Sequence, residues 1–123
     1  MGDKIVNKFS YNENILSINN IKIVTKYPIK NIEKVNDKYV ILLKIPRVEL
    51  GVDELNNILC YDEKGEMCWQ ISNKLPSSIT CKDQIPYVTI QKTDGELYAT
   101  DFWGRKFRVD VNNGELTDVM IVH

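Results

Sequence analysis

The sequence has a single histidine, and it is the last residue, His123. A Cys-His or Ser-His catalytic pair would therefore need the terminus to fold back onto its nucleophile. Three cysteines, Cys60, Cys68 and Cys81, leave one over after any pairing, and none stands in a Cys-x-x-Cys spacing. That argues against a secreted disulfide framework and makes a four-ligand zinc site dependent on carboxylates. Reduced thiols in a cytoplasmic protein are the expectation, with no metal and no cofactor. Long apolar runs are also missing. The longest is Tyr39 to Leu43, with Ile45 just beyond, against the roughly 20 residues of a spanning helix. The N-terminal stretch has no continuous signal-peptide core. The opening Met1-Gly2 fails as a myristoylation motif because Val6 stands where Ser or Thr is required. Net charge is nearly absent too: 16 basic against 17 acidic residues leave -1. No global field draws the chain to nucleic acid or an anionic membrane, so a charged partner must be met by a local patch. The phosphate-cradling glycine loops, the Gly-x-Ser-x-Gly elbow and the His-x-x-x-His pair do not occur. A non-enzymatic protein is expected.

What is present is globular. The chain is 43% hydrophobic and 27% charged, too apolar for a disordered segment, and 123 residues suffice for one core but not two. Residues 1–123 are read as one domain.

The informative feature is a recurring aspartate-to-glycine punctuation between runs of β-formers. Asp62-Glu63-Lys64-Gly65, Thr93-Asp94-Gly95-Glu96, Asp101-Phe102-Trp103-Gly104 and Asp110-Val111-Asn112-Asn113-Gly114 each separate segments rich in Val, Ile, Tyr, Phe or Trp. In Asp-x-x-Gly the carboxylate caps a type I turn and glycine accepts the positive φ of a following bulge. Asp94-Gly95 suits a two-residue type I′ turn.

The second half then reads as a meander of strands over Asn57 to Tyr61, Glu66 to Ile71, Tyr87 to Thr93, Glu96 to Thr100, Arg105 to Asp110 and Glu115 to Val122. Its longest connection is Ser72 to Pro86, with Pro76-Ser77-Ser78 inside it. Earlier, Asn14 to Thr25 reads as two strands hinged at Asn19-Asn20. Ile29 to Val35 and Lys38 to Ile45 flank an Asn36-Asp37 turn, and Val52 to Asn56 is a single helical turn. The expectation is an all-β antiparallel meander of about eight to ten short strands, blade-like, sandwich or partial barrel, with at most one short helix.

Two segments read alike, Asn57 to Ile71 and Gly95 to Asp110; each goes apolar strand, Asp-x-x-Gly, apolar strand. The first, with Tyr61-Asp62, Gly65 and Trp69, resembles the repeat of quinoprotein-type β-propellers. Val109-Asp110 with Gly114 is similar to the matching turn of such blades. The likeness covers Asn57 to Leu116 and implies propeller-like hairpins, in a chain too short for the four or more blades of a closed ring. The layout Cys60-Tyr61-Asp62, Gly65, Trp69-Gln70-Ile71, Pro86-Tyr87-Val88 and Gly95-Glu96-Leu97-Tyr98-Ala99 is also similar to small uncharacterised bacterial proteins, some in toxin immunity loci. That resemblance implies an immunity protein neutralising a cognate toxin, and it assigns no catalytic residue.

Individual residues keep two readings each. Pairs such as Asp62 with Glu66 or Asp94 with Glu96 could divide acid and base roles, but turn capping explains the aspartates more simply. Cys60 falls roughly opposite Cys68 if residues 63–65 form a three-residue loop; core packing is the simpler reading of both thiols. Trp69 and Tyr98 read as core or half-buried strand residues. Phe102 and Trp103 are two large aromatics at the centre of a tight turn. They either fold back onto the sheet or form a protruding hot spot for a protein partner. The partner-binding set is therefore Phe102 and Trp103 as anchors, with Asp94, Glu96, Asp101 and Arg105 as charge contacts. Aromatic and basic neighbours Arg105, Lys106 and Arg108 would also suit single-stranded nucleic acid, which the net charge disfavours. Self-assembly through open sheet edges, giving a homo-oligomer, and a small-ligand site invisible in the sequence are the rival readings.

Overall fold

The computed structural model describes residues 8–46, 50–72, 74–77, 79 and 83–121. Cys81, His123, the Met1-Gly2 opening, Ser78 and Val122 lie outside the described residues. Eleven strands and one helical turn are present: β1 Phe9–Asn12, β2 Ile15–Ile18, β3 Ile21–Val24, β4 Ile29–Val35, β5 Lys38–Leu43, α1 Val52–Leu55, β6 Ile58–Tyr61, β7 Met67–Gln70, β8 Tyr87–Thr93, β9 Glu96–Asp101, β10 Arg105–Val109 and β11 Leu116–Ile121. The fold is the all-β antiparallel one expected, with one short helix.

These strands form three consecutive meanders, β1-β2-β3, β4-β5-β6-β7 and β8-β9-β10-β11. The meanders stack face to face. Leu16 and Ile18 of the first sheet pack on Tyr39, Ile41 and Leu43 of the second. Val40, Leu42, Ile58 and Cys60 on the opposite face pack on Tyr87, Ile90, Leu97, Ala99 and Phe107 of the third. β5 is therefore buried on both faces, which is why its sequence is a continuous apolar run and not an alternation. Each such side chain contributes roughly 1.5–3 kcal/mol of burial.

Two expectations need correction. The second half is not one meander: β6 and β7 complete the sheet begun by β4 and β5, and the 72–86 connection passes to a new sheet. Short turns fix which strands are neighbours, but a long connection carries no such constraint. An eleventh strand, β1, precedes the first one read from sequence. It closes on β2 through Glu13-Asn14 with Glu13 at φ 56, a conformation uncommon for Glu, so no glycine marked the position of positive φ.

The turns follow the predicted chemistry. Asp62 Oδ1 accepts from Lys64 N at 2.9 Å and Glu66 N at 3.0 Å, and Gly65 has φ 80. Asp101 Oδ1 repeats this with Trp103 N and Arg105 N, followed by Gly104 at φ 83. Asp94-Gly95 has both central residues at positive φ, as a type I′ turn requires.

The second and third sheets are an internal repeat. β4 and β5 recur as β8 and β9 displaced by 58 positions, turn included, and β4 lies parallel to β8. Side chains stitch the two strands: Lys30 Nζ donates to Val88 O at 2.6 Å, Asn31 Nδ2 to Ile90 O at 3.4 Å and Lys92 Nζ to Lys34 O at 3.0 Å. Buried Asn57 adds two bonds across the same seam and one within the second sheet. It accepts from Tyr87 N at 2.8 Å and donates to Tyr87 O at 2.8 Å and Leu43 O at 2.9 Å. In this frame the β6–β7 hairpin corresponds to β10–β11, not to β9–β10. The two segments that read alike in sequence share turn chemistry but occupy different places in their sheets.

Candidate functional site

The repeat breaks at one place. Between β5 and β6 the chain runs through residues 44–57, including α1, whereas between β9 and β10 it needs only residues 102–104. Insertions in a repeat commonly mark the face that binds. Here the longer of the two connections and the end of the β7–β8 connection wall an open apolar groove of about 750 Å³, with the short turn at its rim. Leu43, Ile45, Pro46 and Leu50 line one side, Ile85, Pro86 and Val88 the other, and Phe102 stands at its rim. Lys30 and Lys44 are the charged lining residues. Neither forms an ion pair among the described residues, although Lys30 also holds the Val88 carbonyl.

The insertion is held by Glu54. Its carboxylate accepts from Tyr27 Oη at 2.8 Å and Gly51 N at 2.9 Å, and it pairs with Lys26 Nζ at 3.1 Å. The hydrogen bonds from Tyr27, Lys26 and Gly51 pull its pKa down to about 2. α1 is thereby tied to the β3–β4 connection, on which one wall of the groove depends.

Phe102 is 71% exposed and Trp103 50%. The turn presents its aromatics outward and does not fold them onto the sheet. Trp103 lies under the Arg105 guanidinium, 4.9 Å from ring centroid to Cζ. Asp101 and Arg105 have other employment than surface contact. Asp101 is 2% exposed and takes Arg105 Nε at 2.7 Å, while Arg105 Nη2 donates to Asp83 O at 2.8 Å. This buried pair fixes the aromatic turn from beneath. Asp101 is thus corrected from a contact residue to a positioning one.

Asp94 and Glu96 are exposed and lie apart from this turn. They sit at the opposite end of β9, about 17 Å away at the usual strand rise. Glu96 there receives Tyr98 Oη at 3.0 Å and pairs with Arg108 at 3.3 Å. The groove residues, by contrast, were not singled out from sequence: Ile45, Pro46, Leu50, Ile85 and Pro86 lie in connections whose spatial convergence no local pattern reports.

The cysteines do not face one another across the ladder. A bulge places Trp69 opposite Cys60 and leaves Cys68 as the extra, exposed residue. Burial, with the neighbouring Cys68 thiol adding to it, pushes the Cys60 thiol up to about 12, so it stays protonated. Trp69 is buried and Tyr98 half-buried, as their strand positions implied.

Fold and groove together define an all-β protein of three stacked meanders, with a basic-rimmed apolar groove built where its internal repeat is interrupted. The chain belongs to the family described as a domain of unknown function (DUF7957), whose model matches residues 6–121. No curated protein matches the chain. None of the helices among the described residues is long and apolar enough to cross a membrane.

Proposed function

We propose that this chain is a non-enzymatic protein-binding protein that docks its partner on the groove beside Phe102. The single observation that carries this reading is a large aromatic, mostly exposed, held rigidly at the rim of an apolar groove. Exposed aromatics on a fixed turn are what interface hot spots are made of. The Asp101–Arg105 pair and the stacked Trp103 remove the mobility that binding would otherwise have to suppress. The similarity to bacterial proteins of toxin immunity loci supplies the partner class, a toxin domain occluded by docking.

The test is affinity capture in lysate of the protein's own organism, with wild-type bait beside a Phe102→Ser, Trp103→Ser double variant. A stoichiometric protein held by the wild type and lost from the folded variant is the expected result. Equal capture by both baits, or none by either, contradicts the proposal.

A further inference from the structure

The groove is unlike the rest of the surface in its charge. The whole chain carries -1; among the described residues near this end Asp101 pairs with Arg105, and Asp53 and Glu54 share Lys26. The described lining contains no carboxylate, only Lys30 and Lys44 beside apolar side chains. An apolar groove with two lysines in its lining presents positive potential to whatever enters, and low-dielectric walls strengthen it.

From this we infer that the occupant of the groove is an acidic segment of the partner protein carrying a bulky apolar side chain. The inference rests on the protein-binding reading above. The apolar side chain seats against Ile45, Leu50, Ile85 and Phe102, and carboxylates on either side of it meet Lys30 and Lys44. The groove is open and not enclosed, which suits a segment of a partner chain better than a small molecule buried on all sides. Charge of this kind sets partner choice and encounter rate.

The experiment is an amide-shift titration of the full chain with three probes. These are the short peptide acetyl-Asp-Phe-Glu-Leu-Asp-amide, the same peptide with lysine at each acidic position, and dodecanoate. The expected result is that the acidic peptide moves the resonances of Ile45, Leu50, Val88 and Phe102, that the lysine peptide does not, and that added salt weakens the response. Lys44→Glu should weaken the acidic peptide about tenfold, a change of about 1.4 kcal/mol. Equal response to both peptides, shifts confined to other surfaces, or a response to dodecanoate alone would overturn the assignment. The two levels of the argument separate in the capture assay. A partner lost with Phe102→Ser but retained in full by Lys44→Glu leaves protein binding standing and removes the acidic segment. A partner retained by both variants removes both.

Discussion

Single residues at the proposed binding surface divide into exposed ones that would meet a partner and buried ones that hold them in place. Asp101 shows the second kind: its buried carboxylate caps the turn and neutralises Arg105. Replacing it with Ala leaves Arg105 without its nearest counter-charge and two turn N–H groups short of an acceptor. Asp101→Ala should cost about 3 kcal/mol in urea unfolding, whereas Phe102→Ser, at an exposed position, should stay within about 0.5 kcal/mol. Glu54 gives a pH signature. Its folded pKa is about 2, below the usual 4.5, so it stabilises the fold fully above pH 4.5 and that contribution is lost as pH falls from 4.5 toward 2. Glu54→Gln should flatten the acid limb of the stability curve in that window, read by thermal melting at successive pH values.

At the scale of elements, glycine positions that look equivalent in sequence are not equivalent in space. Gly95 and Gly114 have φ 78 and 77. A Cβ at Gly95 meets nothing within 4 Å, but at Gly114 it would lie 2.5 Å from Trp69 Cε3. Trp69 is itself anchored, its Nε1 donating to Val111 O at 2.6 Å. Gly95→Ala should therefore cost about 1 kcal/mol, the backbone strain alone, and Gly114→Ala clearly more, as chemical denaturation of the two variants will compare. The same contrast explains what the sequence disclosed. Turn chemistry at Asp62, Asp94, Asp101 and Asp110 is local and gave the hairpins and strand ends of the second half nearly to the residue. The repeat of β4–β5 in β8–β9 stayed hidden because the equivalent positions share a face and not an identity; Ile32 with Ile90 and Lys34 with Lys92 are among the few that match. Phe102 and Trp103 stood out as aromatics where polar residues belong. The groove did not, since Ile45, Leu50 and Ile85 are unremarkable until three separate connections converge.

At the scale of the whole molecule, the stack ends in polar faces. On the third sheet, Tyr98 lies beside Glu96 and under Lys106, and Arg108 bonds both Glu96 and Thr117. On the first, Ser10, Ser17 and Lys22 fall opposite the buried face. Apart from the exposed pair Ile15 and Val24 on the first sheet, these faces are satisfied in water and offer little apolar area for a fourth sheet or a second copy. A monomer is expected at every concentration in native mass measurement; a dimer that strengthens with concentration would place the binding surface on these faces. The proposed binding surface is at the end of the stack, where the β5–β6 insertion and the β9–β10 turn meet.

The most direct test of that placement is photo-crosslinking in cells, with p-benzoylphenylalanine in place of Phe102 or, separately, of Tyr98. The predicted outcome is one crosslinked protein partner from position 102 and none from position 98. Crosslinks from position 98 alone, or the same products from both positions, would contradict the assignment of the groove as the binding site.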